Sequence, residues 1–167
     1  EDLQDRAFAI TMATRKSQAI GLPSEAYTNS AYGIDVYGKA PAYLKWLSSY
    51  MGDDNFDQAM QEYFETWKFK HPQPQDFETI FRKHSNKNLD WFFSNGLYSS
   101  KPVDFAVKKV RKTTQGKEIT IVNKTGFEAP VALQVDSSNA LHWTQPFKGK
   151  TTVLIPEAFN KVRVADF

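Results

Sequence analysis

The chain has 167 residues, enough for one ordinary domain or two small ones, and its 41% hydrophobic and 24% charged residues exclude a disordered polymer. A net charge of only +2 argues against general polyanion binding, so no nucleic-acid partner is expected, and no run of about 18 apolar residues offers a membrane-spanning helix. The absence of cysteine removes a disulfide framework, a thiolate zinc site and a cysteine nucleophile together.

The first residues, Glu1-Asp2-Leu3-Gln4-Asp5-Arg6, are charged and form no apolar core of a signal peptide. Residues 2–17 are expected to be helical. From there to Tyr37 the sequence reads as irregular, with Gly21-Leu22-Pro23 and Gly33 as breakers. A helix then begins with Pro41 in its first turn, buries Leu44, Leu47 and Met51, and ends at Gly52. The next follows Asp53-Asp54, where either acid is expected to cap exposed N–H groups. Phe56, Ala59, Met60, Tyr63, Phe64 and Trp67 recur at helical spacing and predict one apolar stripe. A third helix is expected from Asp76, after Pro72-Gln73-Pro74, and a short fourth carries Leu89, Trp91, Phe92 and Phe93.

After Pro102 the period changes from helical to alternating. Val103, Phe105 and Val107 alternate, as do Ile119 with Ile121, Val131 with Leu133 and Val135, Leu141 with Trp143, Val153 with Ile155, and Val162 with Val164. Turn signals at Gln115-Gly116, Lys124-Thr125-Gly126, Ser137-Ser138-Asn139 and Lys148-Gly149-Lys150 separate them. The expectation is therefore an α+β chain. Residues 1–102 form an all-helical segment, and residues 103–167 a small antiparallel β-sandwich of the immunoglobulin or fibronectin kind, with the chain cut at both ends. The basic surplus lies in this second part and reads as solvated strand faces.

Autonomous catalytic constellations are scarce. Histidine occurs only at 71, 84 and 142, with no His-x-x-x-His pair, and neither a Gly-x-Ser-x-Gly elbow nor a phosphate-cradling glycine loop is present. No residue of this chain is proposed as a metal ligand. The dense aromatics of the helical part read as core rather than as a groove. Asn123-Lys124-Thr125 is a glycosylation sequon by pattern, and Trp143 with Phe147 offers a sugar platform only if both rings are exposed.

The segment that stands out is Tyr32-Gly33-Ile34-Asp35-Val36-Tyr37-Gly38-Lys39-Ala40-Pro41, two tyrosines five apart entering an apolar helix. A phenol suits oxyanion binding because it stays protonated at neutral pH, its ordinary pKa being about 10.

This stretch resembles the tyrosine segment of the gluzincin zinc aminopeptidases, the aminopeptidase N and leukotriene hydrolase family, in which a Tyr-x-Lys precedes a helix like Pro41-Ala42-Tyr43-Leu44-Lys45-Trp46-Leu47. The order continues through Met51-Gly52-Asp53-Asp54-Asn55-Phe56, Tyr63 to Pro72, Asp76-Phe77, Leu89-Asp90-Trp91-Phe92-Phe93, Leu97-Tyr98 and Pro102. Ala40 and Gly96 depart from the family's more usual Gly and Trp.

The resemblance implies that Tyr37 is the catalytic tyrosine, donating to the oxyanion, and that Tyr32 lies near bound substrate. It also implies a peptide substrate and a parent metallopeptidase that removes N-terminal residues. The family's zinc ligands come from a His-Glu-x-x-His helix and a later Glu, which these residues do not contain. The expectation is thus a fragment without a cofactor of its own and inactive alone. Zinc belongs to the full-length parent, the N-terminal remainder of that parent is a partner, and an extracytoplasmic location is implied for it. The alternative is a non-catalytic peptide-binding or scaffolding module built on the same fold.

Overall fold

A computed structural model describes residues 17–136, 140–156 and 158–165. The helix expected over 2–17, apart from Ser17, and the turn expected at 137–139 lie outside the described residues. The chain divides into two compact units, Glu1–Ser100 and Lys101–Asp166, and its class is α+β.

The first unit is helical. A 3₁₀ turn at Ser24–Ala26 and one helical turn at Asn29–Ala31, capped by the Thr28 hydroxyl, lead into α1, Tyr32–Lys39. This helix runs directly into α2, Ala40–Met51, with Pro41, which has no N–H to donate, at the junction. Tyr43, Trp46, Leu47, Tyr50 and Met51 form the buried face of α2; Leu44, expected with them, is half-buried. Gly52, at φ +91°, ends the helix in a conformation that a Cβ would oppose.

The next helix, α3, spans Asp53–Trp67. Its N-cap is Gly52, and neither Asp53 nor Asp54 caps it through a side chain, contrary to the sequence expectation. Both acids sit within the first turn, where they favour the positive end of the helix dipole, and Asp53 accepts instead from the Ser48 hydroxyl at 3.1 Å. The apolar stripe is real but only partly covered: Ala59 is buried, whereas Met60 and Phe64 are exposed.

Helix α4, Pro74–Lys83, starts two residues before the predicted Asp76. Pro74 takes the first helical position, and Gln73 with Asp76 forms a reciprocal capping box. Finally α5, Trp91–Gly96, follows Leu89. Trp91, Phe92, Phe93, Leu89, Ile80 and Phe81 are buried together with the α2 face, so most of the aromatic excess is core, as its spacing predicted. Trp91 stacks at a tilt on Trp46, with ring centroids 4.8 Å apart, and Phe77 lies on Phe81 at 3.9 Å.

The described residues of the second unit form six strands: β1 Phe105–Thr113, β2 Gly116–Asn123, β3 Ala132–Val135, β4 Leu141–Trp143, β5 Lys150–Ile155 and β6 Val162–Val164. They form two three-stranded antiparallel sheets, ordered β1-β2-β5 and β4-β3-β6. Register places Val107 opposite Ile121, Ile119 opposite Val153, and Leu133 between His142 and Val164. Ile119, Ile121, Leu133, Val135, Ile155 and Phe159 make one buried apolar cluster drawn from both sheets. Asn123 and Thr144 are buried polar residues of this unit, and Asn123 carries the larger network. Its amide donates to the Phe127 carbonyl at 2.7 Å and the Phe147 carbonyl at 3.2 Å, while its oxygen accepts from Thr125 and Gly126 N–H groups.

Candidate active site

The tyrosine segment is not irregular. Residues Tyr32–Lys39 form a π-helix, with the Ala40 N–H donating to the Asp35 carbonyl five residues back. So wide a turn fits neither the helical nor the alternating period, and Gly33 read as a breaker. The wide turn explains the five-residue spacing: Tyr32 and Tyr37 meet edge to face, with ring centroids 6.0 Å apart. One step further back, Tyr27 meets Tyr32 in the same way at 5.6 Å. The Tyr27 hydroxyl is fixed by the carbonyls of Ala19 at 2.7 Å and Ile20 at 2.6 Å. Burial and the Asp35 charge push that phenol's pKa up, so it remains a donor.

At the outer end of this stack Tyr37 is 66% exposed and Tyr32 38% exposed. Tyr37 therefore presents its phenol to whatever occupies the space above α1, and Tyr32 flanks it. Both residues singled out from the sequence are thus brought together on one helix face.

The opposite face carries two residues that sequence reasoning passed over. Asp35 and Lys39 are both 0% exposed. Being four apart they share a face, and being two residues either side of Tyr37 they point away from it. The Asp35 carboxylate accepts from the Ser17 hydroxyl at 2.6 Å and from the Gln18 N–H at 2.7 Å. The Lys39 ammonium donates to the Gln18 carbonyl at 2.9 Å, the Ser17 hydroxyl at 3.2 Å and the Ser99 carbonyl at 3.3 Å, and lies 5.6 Å from the Tyr43 ring centroid. Burial lowers the Lys39 pKa, with the Asp35 charge acting in the opposite direction. The Tyr43 phenol, deeply buried near Asp35, is pushed well up. Gly21 permits this arrangement: its N–H donates to the Leu97 carbonyl at 2.7 Å, and a Cβ there would strike the Tyr98 ring at 2.5 Å.

Among the described residues no group of three His, Cys, Asp or Glu side chains is placed to hold a metal ion. The described residues therefore do not fit a zinc centre. Of the histidines, His84 pairs with Glu62 at 2.6 Å and His71 is exposed. The sugar platform also fails on geometry: Trp143 and Phe147 are half-buried, and Phe147 packs on Phe105 with centroids 5.6 Å apart.

Residues 5–95 match the model of the peptidase family M1 domain. The chain belongs to this family. The M1 chain is 24% identical over 157 residues to a protein described as probable aminopeptidase 2 from Sulfurisphaera tokodaii, a match covering 85% of this chain and 19% of that protein. Among solved structures it is similar to Legionella pneumophila aminopeptidase A in complex with aspartic acid, with 18% identity, a TM-score of 0.48, and coverage of 84% of this chain and 16% of that one. The M1 chain thus spans about a fifth of the length of the curated relative it matches.

Proposed function

We propose that this M1 chain forms part of a peptidase that removes N-terminal residues from peptides, and that Tyr37 is its oxyanion donor. The observation that carries the reading is the two-sided helix α1, with an exposed phenol at Tyr37 and a buried polar lock behind it. When water adds to a peptide carbonyl, negative charge develops on its oxygen. A phenolic O–H held in place beforehand stabilises that charge without having to reorganise. Tyr32, stacked on Tyr37, would contact the substrate beside the scissile bond and limit the directions the Tyr37 ring can take.

The curated relative is far longer than this chain, and we infer that zinc ligands lie in the additional length of a parent protein. The 167 residues would then supply the donor and one wall of the cleft, and be inactive by themselves. In the same reading, residues 1–102 are the C-terminal part of a thermolysin-like catalytic domain, and residues 103–167 a β-sandwich scaffold. The apolar cluster shared by the two sheets supports the sandwich.

The test compares wild type with Tyr37→Phe in the parent, using aminoacyl-anilide substrates and measuring zinc content in both. A fall in kcat of roughly 100-fold or more, with zinc and KM retained, is expected for loss of one oxyanion donor. A zinc-free, inactive wild type would replace this reading with the non-catalytic peptide-binding or scaffolding one.

A further inference from the structure

We infer that Lys39 and Asp35 are positioning residues for Tyr37, clamping α1 so that the Tyr37 phenol has one direction. The inference deepens the reading of Tyr37 given above and rests on it for its catalytic meaning, although the clamp is a structural claim in its own right.

Two separate chains of contact run from α1 to the same short segment, residues 17–20. On the buried face, Asp35 accepts from Ser17 and Gln18, while Lys39 donates to both of those residues and to the Ser99 carbonyl on the far side. On the exposed face, Tyr37 rests on Tyr32, Tyr32 on Tyr27, and Tyr27 hangs by its hydroxyl from the carbonyls of Ala19 and Ile20. The helix is therefore gripped from both sides by one strand of backbone. Rotation about its axis would break charge-assisted hydrogen bonds on the buried side and ring contacts on the other. A π-helix has poorer intrinsic stability than an α-helix and is rare except as a short bulge, so the grip helps to keep the wide turn. Removing water from an ammonium and a carboxylate is costly, and the cost is met only where their geometry is satisfied. Burying both behind one exposed phenol places that geometry under Tyr37 rather than elsewhere on the helix.

The test uses the 167-residue chain with ¹³C-labelled tyrosine, the Tyr37 ring signals being assigned by their loss in Tyr37→Phe. The chain contains no cysteine, so Lys39→Cys provides a unique thiol that can be aminoethylated in denaturant to restore a side-chain ammonium before refolding. Lys39→Met and Asp35→Asn should each abolish the Tyr32–Tyr37 ring contact and disperse the Tyr37 signals, while the Tyr50–Trp91 contact, at 5.7 Å, persists. Aminoethylated Lys39→Cys should restore the Tyr37 signals.

In the parent, Lys39→Met should lower kcat by on the order of 100-fold with KM little changed, and add nothing further in a Tyr37→Phe background. Unchanged Tyr37 signals in both variants would overturn the inference. So would loss of the Tyr50–Trp91 contact together with that of Tyr37, or an equal kcat loss with and without the Tyr37 hydroxyl, since these describe a general folding role. A Tyr37→Phe parent with full turnover would sink the oxyanion reading instead, leaving the ring-contact result to decide the clamp by itself.

Discussion

The helical unit and the sheet unit bury their polar groups differently. In the sheet unit the buried core is apolar, and its principal polar residues, Asn123 and Thr144, tie down neighbouring loop backbone. In the helical unit an ammonium and a carboxylate lie fully buried behind a surface phenol. The first pattern accounts for itself as structure, because each of these side chains satisfies backbone groups of its neighbours. The second burdens the fold with two desolvated charges where apolar residues of similar volume could be as stable, and such expense is most often found at working sites.

The comparison can be broken or sharpened by substitution, with the largest effects expected in the apolar part of the helical unit. Phe81 is fully buried between Phe77 and Phe56, with Phe77 at 3.9 Å, so Phe81→Ala should cost about 4 kcal/mol, read as a lower denaturant midpoint. Asp35→Ala should come next at about 3 kcal/mol, since it leaves the Ser17 hydroxyl and the Gln18 N–H without their acceptor and the buried Lys39 ammonium without the Asp35 charge. A loss under about 1 kcal/mol there would show that water reaches the pair, and the contrast between the units would shrink.

Asn123→Ala, the sheet unit's counterpart, should cost about 2 kcal/mol by orphaning the Phe127 and Phe147 carbonyls and two backbone N–H groups. Glycosylation of Asn123 would consume the same amide, so the folded protein should run as a single unglycosylated species on a gel despite its sequon.

The smallest effect concerns pH. Hydrogen bonds from Lys83 and His84 hold the Glu62 carboxyl below its ordinary pKa, and backbone N–H groups of Lys161 and Asn160 do the same for Asp136. A depressed carboxylate stabilises the fold above its unfolded pKa and loses that contribution as pH falls through the folded value. Glu62→Gln should therefore flatten the acid limb of a plot of melting temperature against pH and leave the neutral region nearly unchanged.

Much of this was legible in the residues. Alternation set out the strands most clearly where one face is buried, as Ile119 and Ile121 of β2 show. Three-to-four spacing found α2 to α4 for the same reason, although Met60 and Phe64 show that an apolar stripe states what a helix can cover rather than what covers it. Helix starts were misplaced where a cap worked through an unexpected residue: Gln73 for α4 and Gly52 for α3. The site was half legible. Tyr32 and Tyr37 stood out by residue type and spacing, whereas Asp35 and Lys39 were given no role of their own, because their partners, Ser17, Gln18 and Ser99, come from distant positions that no local pattern connects.

The wide turn of α1 has a consequence for how this segment can vary over time. Exposed loops ordinarily tolerate insertions and deletions better than the elements they join. Here the order is reversed. Deleting one residue, Gly38 for instance, would let the backbone close as an ordinary α-helix while swinging the chain on its N-terminal side by about 100° relative to the chain on its C-terminal side. Tyr32 and Tyr37, five apart on an ordinary α-helix, would no longer share a face. Among descendants of this sequence the number of residues between Tyr32 and Tyr37 is held as fixed as the tyrosines themselves.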